Sequence, residues 1–140
     1  MGLIIDTNVF IDAENGRLDL SILSGLSTHG DAFIAAVTVS ELLVGVHMAK
    51  TADIRIRRSA FVEGIIKHIP IMEFSMSVAR TYGELYSHFL KPRNKSAKNV
   101  HDLQIAATAI AHGFAVLTSN VEDFEKVPGL KVVKPSSKNK

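Results

Sequence analysis

The chain has no cysteine among its 140 residues. Disulfide bonds, cysteine-ligated zinc and a cysteine nucleophile are therefore excluded. It also lacks an apolar run long enough to cross a bilayer, and its first residues lack the charged region and apolar core of a signal peptide. We therefore expect a protein of the cytoplasm that does not enter a membrane.

A large net charge is absent as well, because the formal value is only +2. The basic residues are nevertheless unevenly placed. One basic stretch holds Lys91, Arg93, Lys95 and Lys98, and a second holds Arg55, Arg57 and Arg58. Such stretches either contact the phosphates of a nucleic acid or form an ordinary solvated face. Of the two, the stretch with Arg93, Lys95 and Lys98 is the predicted contact with nucleic-acid phosphates, because it leads directly into the helix that begins near residue 101.

Short apolar segments alternate with amphipathic segments along the chain. Strands are predicted at residues 3–5, 32–37, 69–73, 114–118 and 131–133, and the main helices at 38–48, 54–66, 75–89 and 101–112. This alternation predicts an α/β fold with a short central parallel sheet and helices on both faces. We expect one domain over residues 1–134 and a disordered basic tail at 135–140.

Acidic and amide side chains follow several of the predicted strands or begin the helices beside them. They are Asp6, Glu41, Asp102, Asn120 and Asp123. Ligands of parallel α/β proteins bind beyond the carboxyl ends of the strands. These side chains are therefore predicted to converge at one edge of the sheet.

Carboxylates that converge repel one another, and each raises the pKa of its neighbours. A cation relieves this repulsion. Oxygen ligands without cysteine, and without histidines at ligand spacing, favour Mg²⁺ or Mn²⁺ over zinc. Such an ion beside a phosphodiester promotes its hydrolysis, so a metal-dependent nuclease is the predicted chemistry.

Each acidic residue also has a purely structural interpretation. Thr38 and Glu41 have the spacing of a helix capping box. Asp102 in a first helical turn is favoured by the helix dipole, and Asp6 and Asn120 are typical of Asx turns or N-caps. Capping alone, however, does not explain why all of them fall at the same end of the predicted sheet.

The remaining polar motifs point to no other chemistry. The glycines form neither a P-loop nor a dinucleotide-binding loop. His101 adjoins Asp102 at a predicted helix start, where we expect it to face solvent.

Four segments resemble the ordered motifs of the PIN-domain family. They are LIIDTNV at 3–9, SELLVG at 40–45, DLQIAATA at 102–109 and LTSNVEDF at 117–124. Their order, their spacing and the chain length are similar to those of VapC-type toxins of prokaryotic toxin–antitoxin pairs. The resemblance covers residues 3 to about 133.

The resemblance implies an endoribonuclease that uses Mg²⁺ or Mn²⁺, pairs with a VapB-type antitoxin and forms a homodimer. It implies catalytic and metal-binding roles for Asp6, Glu41 and Asp102, with Thr7, Asn8 and Thr118 as supporting hydrogen-bonding residues toward the substrate. Many relatives carry aspartate where this chain has Asn120. That metal ligand is therefore neutral here, and Asp123 is the candidate to replace it. Helices 54–66 and 75–89 are the expected dimer and antitoxin surfaces.

Two alternatives remain at this point. A haloacid-dehalogenase-like phosphatase also has an aspartate after its first strand, but it needs a second aspartate where this chain has Asn8. A PIN-like module that binds RNA or a partner without cleavage is the other alternative. Loss of the acidic residues would indicate it, and Asp6, Glu41 and Asp102 are all present.

Overall fold

The computed structural model describes residues 2–20, 31–91 and 99–135. The strands are β1 (Gly2–Ile5), β2 (Asp31–Ala35), β3 (Ile71–Met72), β4 (Ala115–Leu117) and β5 (Val132–Val133). The helices are α1 (Thr7–Glu14), α2 (Ala36–His47), α3 (Ala52–His68), α4 (Met76–Leu90) and α5 (Val100–His112), with a 3₁₀ turn at Val121–Asp123. Arg93, Lys95 and Lys98 lie outside the described residues, as do residues 136–140 of the predicted tail.

The five strands form one parallel sheet in the order β3-β2-β1-β4-β5. In β1, Leu3 lies opposite Ala32 of β2 on one side and Ala115 of β4 on the other. The chain builds outward from β1 through β2 to β3 and then returns to the other side of β1 for β4. The strand order therefore reverses between β1 and β4, and their carboxyl ends open a crevice there.

Helices cover both faces of this sheet, because side chains along β1 alternate between two hydrophobic cores. Ile4 packs in one core with residues of α4 and α5, including Val78 and Ile105. Leu3 and Ile5 pack in the other core, to which α1, α2 and α3 contribute. A strand buried on both faces needs apolar residues at consecutive positions, as Leu3, Ile4 and Ile5 provide. The predicted α/β layering is confirmed.

Local signals placed several helix ends correctly. Ser75 caps α4 by accepting a hydrogen bond from the backbone N–H of Val78 at 3.3 Å. Gly113 ends α5 with a φ of +72°, a left-handed conformation that glycine adopts at little cost.

The predicted start of α2 is wrong. The helix begins at Ala36 and its N-cap is Ala35, so strand β2 is shorter than predicted and Thr38 lies inside the first turn. Thr38 is fully buried, and its hydroxyl contacts Thr7 of α1 at 3.1 Å. The capping-box interpretation of Thr38 and Glu41 therefore fails, because the threonine hydroxyl is used between helices. Strand β3 is also shorter than predicted, with two residues instead of five.

No helix in the described ranges 2–20, 31–91 and 99–135 is long and apolar enough to cross a membrane.

Candidate active site

A cavity of about 310 Å³ lies beyond the carboxyl end of β1. Its lining comprises Asp6, Thr7, Asn8, Ile11, Glu41, Asn99, Asp102 and Asp123. Asp6 directly follows β1, and the other three acids come from α2, α5 and the 3₁₀ turn, as the sequence predicts. None of these described lining residues is basic. The structure thus brings together the four predicted acidic residues around one concave surface.

Asp6 is the most buried of these acids, with only 1% of its surface exposed. Its backbone N–H donates to the carbonyl of Leu117 at 2.8 Å, which continues the pairing of β1 with β4. The hydroxyl of Thr118 donates to Asp6 Oδ2 at 2.9 Å, and the N–H of Asn120 donates to that same hydroxyl oxygen at 2.9 Å. The end of β4 therefore fixes the orientation of the Asp6 carboxylate.

Burial raises the pKa of Asp6 from 3.8 to about 6. Hydrogen bonds from Thr118 and from the backbone of Thr7 oppose this rise, whereas the negative charges of Glu41 and Asp123 add to it. A carboxylate destabilised by burial and by like charges gains stability from a nearby cation. The electrostatics of Asp6 therefore favour a positively charged ligand in this cavity.

Glu41 is held by residues of two other helices. The hydroxyl of Thr7 donates to Glu41 Oε1 at 2.6 Å, and His101 Nδ1 lies 2.8 Å from Glu41 Oε2. The Thr7 hydroxyl has one hydrogen, which it donates to the Glu41 carboxylate. In the 3.1 Å contact between the two threonines, Thr38 is therefore the donor and Thr7 the acceptor. Glu41 is thus oriented by a network that joins α1, α2 and α5.

His101 is exposed, as expected, but its contact with Glu41 was missed by the sequence reasoning. The two residues are 60 positions apart. The only sequence signal was the position of His101 directly before Asp102, on the same first turn of α5.

Asp102 lies in the first turn of α5, and Asn99 is the N-cap of this helix. The side chain of Asn99 accepts from the backbone N–H of His101 at 2.8 Å and from that of Asp102 at 3.3 Å. Asp102 is therefore not needed as a cap, and its partly exposed side chain lines the cavity. Asn99 was missed as a lining residue, although an asparagine directly before an apolar helical pattern is an N-cap signal.

Asn120 and Asp123 occupy different places. Asn120 lines a neighbouring cavity of about 540 Å³, whose other lining residues are Ser119, Val121, Glu122, Asp123 and Lys134. Asp123 lines both cavities, and its negative charge adds to the rise in the pKa of Asp6 that burial causes. Asp123, which lines the cavity that holds Asp6, is therefore better placed than Asn120 to join the cluster of Asp6, Glu41 and Asp102.

Ser119 and Asp12 form a further contact that the sequence reasoning missed. The hydroxyl of Ser119 donates to Asp12 Oδ2 at 2.9 Å, and Arg17 pairs with the other oxygen of Asp12 at 3.3 Å. The contact joins α1 to the segment after β4, which carries Asn120 and Asp123. It supports the two strand ends that form the crevice.

The donors around the smaller cavity fit a divalent cation in kind. They are carboxylate, hydroxyl and amide oxygens, which Mg²⁺ and Mn²⁺ prefer, and no described lining residue brings a positive charge to the buried Asp6. Across the described part of the chain, however, no three acidic or histidine side chains are close enough together to hold an ion as they stand. Mg²⁺ usually keeps several of its waters and is bound through one or two carboxylates, so such a cluster is not required for it to bind here.

Comparison with known proteins identifies the family. The sequence model of the family described as PIN domain matches residues 3–130. The chain therefore belongs to the PIN-domain family, as its four motifs predict.

Individual relatives extend this finding. The chain is 37% identical to Ribonuclease VapC1 of Rickettsia felis over 99% of its own length and 100% of that protein. Among solved structures it is similar to VapBC2 of Rickettsia felis bound to a promoter DNA fragment, with a TM-score of 0.84, 24% identity and coverage of 96% and 98% of the two chains. It is also similar to VapBC-5 of Mycobacterium tuberculosis, a toxin–antitoxin system, with a TM-score of 0.74, 28% identity and coverage of 97% and 98%. The predicted fold class is confirmed by these structures.

Proposed function

We propose that this chain is an endoribonuclease that hydrolyses RNA phosphodiester bonds and acts as the toxin of a toxin–antitoxin pair. The observation that carries the proposal is the convergence of Asp6, Glu41, Asp102 and Asp123 on one cavity at the switch point of the sheet. The full-length similarity to a protein named as a VapC ribonuclease supports the same activity. RNA as substrate makes the cytoplasm the expected location.

We assign catalytic and metal-binding roles to Asp6, Glu41 and Asp102, with Asp123 as a fourth acidic ligand. When bound, Mg²⁺ or Mn²⁺ supplies positive charge that lowers the pKa of water and neutralises charge on the attacked phosphate. Asn120 is less strongly supported as a ligand, because it lines the neighbouring cavity and not the one that holds Asp6.

The hydrogen-bonding residues of the site prepare the carboxylates for this role. Thr118 orients Asp6, and Thr7 orients Glu41. Asn8 lines the same cavity and can offer its side-chain amide to the substrate.

RNA carries negative charge, whereas the described lining of the cavity is acidic. Basic side chains outside the cavity are therefore needed to bind the RNA backbone. Arg93, Lys95 and Lys98 directly precede the helix that carries Asp102, and we assign them to the RNA backbone from the sequence alone.

A VapB-type antitoxin is the proposed partner, since a relative at 28% identity is a member of a VapBC toxin–antitoxin system. Large apolar side chains remain exposed on the two helices predicted as interaction surfaces. They include Ile56 of α3 and Met76 and Leu90 of α4, each at least 64% exposed. Burial of such residues favours association, which supports an antitoxin interface and a homodimer on these helices.

The proposed activity is tested with the purified protein and total RNA in Mg²⁺, in Mn²⁺ and in EDTA. We expect new RNA fragments with either ion and none in EDTA. Equal cleavage in EDTA would overturn the metal-dependent mechanism. RNA that is bound but never cleaved would instead support the non-catalytic alternative.

A further inference from the structure

The carboxylate of Glu41 accepts one hydrogen bond at each oxygen, from residues on two different helices. Thr7 of α1 donates to Oε1 at 2.6 Å, and the His101 ring of α5 lies 2.8 Å from Oε2 through Nδ1. An ionised carboxylate can only accept, so Nδ1 of His101 carries a hydrogen in this contact. The two donors together fix both the position and the rotation of the carboxylate.

The position of Glu41 is electrostatically unfavourable, because a second carboxylate, that of Asp6, lies nearby. Its negative charge lies close enough to the buried Asp6 to raise the pKa of that residue. The Glu41 side chain is 27% exposed, and a glutamate side chain has three rotatable torsions that only its contacts restrict. The two donors therefore offset both the repulsion and the entropy lost when this side chain is held in one conformation.

We propose that His101 is a positioning residue that holds Glu41 in the geometry required for cation binding and RNA cleavage. The proposal rests on the proposed function of the site. His101 acts through Glu41 and is not itself assigned to the substrate or to the ion. Residues that orient metal-ligating side chains in this way often change metal affinity or activity 10- to 100-fold when they are replaced.

A purely structural role explains His101 less well. The start of α5 is already capped by Asn99, which accepts the backbone N–H groups of His101 and Asp102. The His101 side chain is 48% exposed, so it adds little to the hydrophobic core. Its contact with Glu41 is therefore the feature that its replacement removes.

The test compares His101→Ala with His101→Asn, because the side-chain amide of asparagine places an N–H donor near the position of Nδ1. His47→Ala is the matched control, since His47 is an exposed histidine at the C-terminal end of α2, the helix that carries Glu41. Mn²⁺ affinity is measured by calorimetry without RNA, cleavage is measured as kcat/KM, and folding is checked by circular dichroism at the assay temperature.

We expect His101→Ala to lose roughly 10- to 100-fold in Mn²⁺ affinity and in kcat/KM, with His101→Asn restoring most of both and His47→Ala matching the parent protein. Unchanged Mn²⁺ affinity and cleavage in His101→Ala would overturn the proposal. So would equal losses in the alanine and asparagine variants, or an alanine variant that is unfolded at the assay temperature. A parent protein that neither binds Mn²⁺ nor cleaves RNA would instead contradict the proposed function, so the two failures are distinguishable.

Discussion

Thr118 donates a hydrogen bond of 2.9 Å to Asp6 Oδ2, although 112 positions separate the two residues in the chain. Both are essentially excluded from solvent, and each follows one of the two strands between which the sheet order reverses. This bond is a direct side-chain link between the first and last motifs of the site, beside the backbone bond from Asp6 to Leu117. It also lowers the pKa of Asp6 against the larger effect of burial.

Replacement of Thr118 with valine keeps the shape of the side chain and removes the hydroxyl donor. We expect the pKa of Asp6 to rise further and the free energy of unfolding at pH 7.5 to fall by about 2 kcal/mol, since a buried charged group loses a hydrogen bond. NMR titration of the Asp6 carboxyl and urea unfolding measure the two effects. Thr118→Ser, which retains the donor, should leave the pKa near that of the parent protein. An unchanged pKa in Thr118→Val would contradict this role for the hydroxyl.

Asp6 makes the stability of the metal-free protein depend on pH. Folding raises the pKa of its carboxyl from 3.8 to about 6, so the folded state binds this proton more tightly than the unfolded state. The resulting stabilisation is complete below about pH 3.8 and is lost as the pH rises through about 6.

Asp6→Asn should remove this dependence, because asparagine does not ionise. Between pH 4 and pH 7.5 the unfolding free energy of the variant should rise relative to the parent by about 2 to 3 kcal/mol. Urea unfolding in EDTA at both pH values measures the difference. Addition of Mn²⁺ at pH 7.5 should stabilise the parent and have little effect on the variant. A difference that does not vary with pH would show that Asp6 ionises as easily in the folded protein as in the unfolded chain.

Asp102→Asn separates a role in catalysis from a role in helix stability. Asn99 remains as the cap of α5, so the change in unfolding free energy should stay within about 1 kcal/mol of the parent. RNA cleavage should fall to background, because the site loses a charged oxygen. Asp53→Asn is the matched control, since Asp53 is also a first-turn acid, in α3, with Thr51 as its cap. Retained cleavage by Asp102→Asn would remove Asp102 from the proposed catalytic set.

The residues after β4 can be compared for their contribution to metal binding. Asp123 lines both cavities, whereas Glu122 and Asn120 line only the larger one. Asp123→Asn should therefore weaken Mn²⁺ binding measured by calorimetry, while Glu122→Gln should have little effect. Asn120→Asp tests the family pattern directly, and tighter Mn²⁺ binding in that variant than in the parent would favour position 120 as the fourth ligand over Asp123.

The basic stretch before α5 is tested through the salt dependence of RNA binding. Arg93→Ala combined with Lys95→Ala should weaken binding and flatten the slope of log K against log salt by about 0.7 per lost contact. Arg55→Ala combined with Arg57→Ala is the control, because it removes the same charge from exposed positions of α3. An identical slope in the parent and in the Arg93 and Lys95 variant would assign this stretch to another role.

Much of the fold followed from local patterns. Three consecutive apolar residues, Leu3 to Ile5, predicted a strand buried on both faces, and β1 is the central strand. The helix starting at 75 and the helix ending at 112 were predicted to within one residue, with Ser75 and Gly113 as the caps that the structure shows. These signals succeed because a buried strand is recognised from its own hydrophobicity and a helix cap is satisfied within four residues of itself.

Other features were decided only by the packing of distant elements. Thr38 has the sequence spacing of a cap, yet its hydroxyl is buried against Thr7, because α1 and α2 meet at that position. His101 contacts Glu41, and Asn120 and Asp123 separate into different cavities, for the same kind of reason. The sequence by itself determined which acids lie at the carboxyl edge of the sheet, because strand polarity places them there. The tertiary structure decided which side chains touch, because the rotation and position of each helix depend on the complete core and are not encoded in any local pattern.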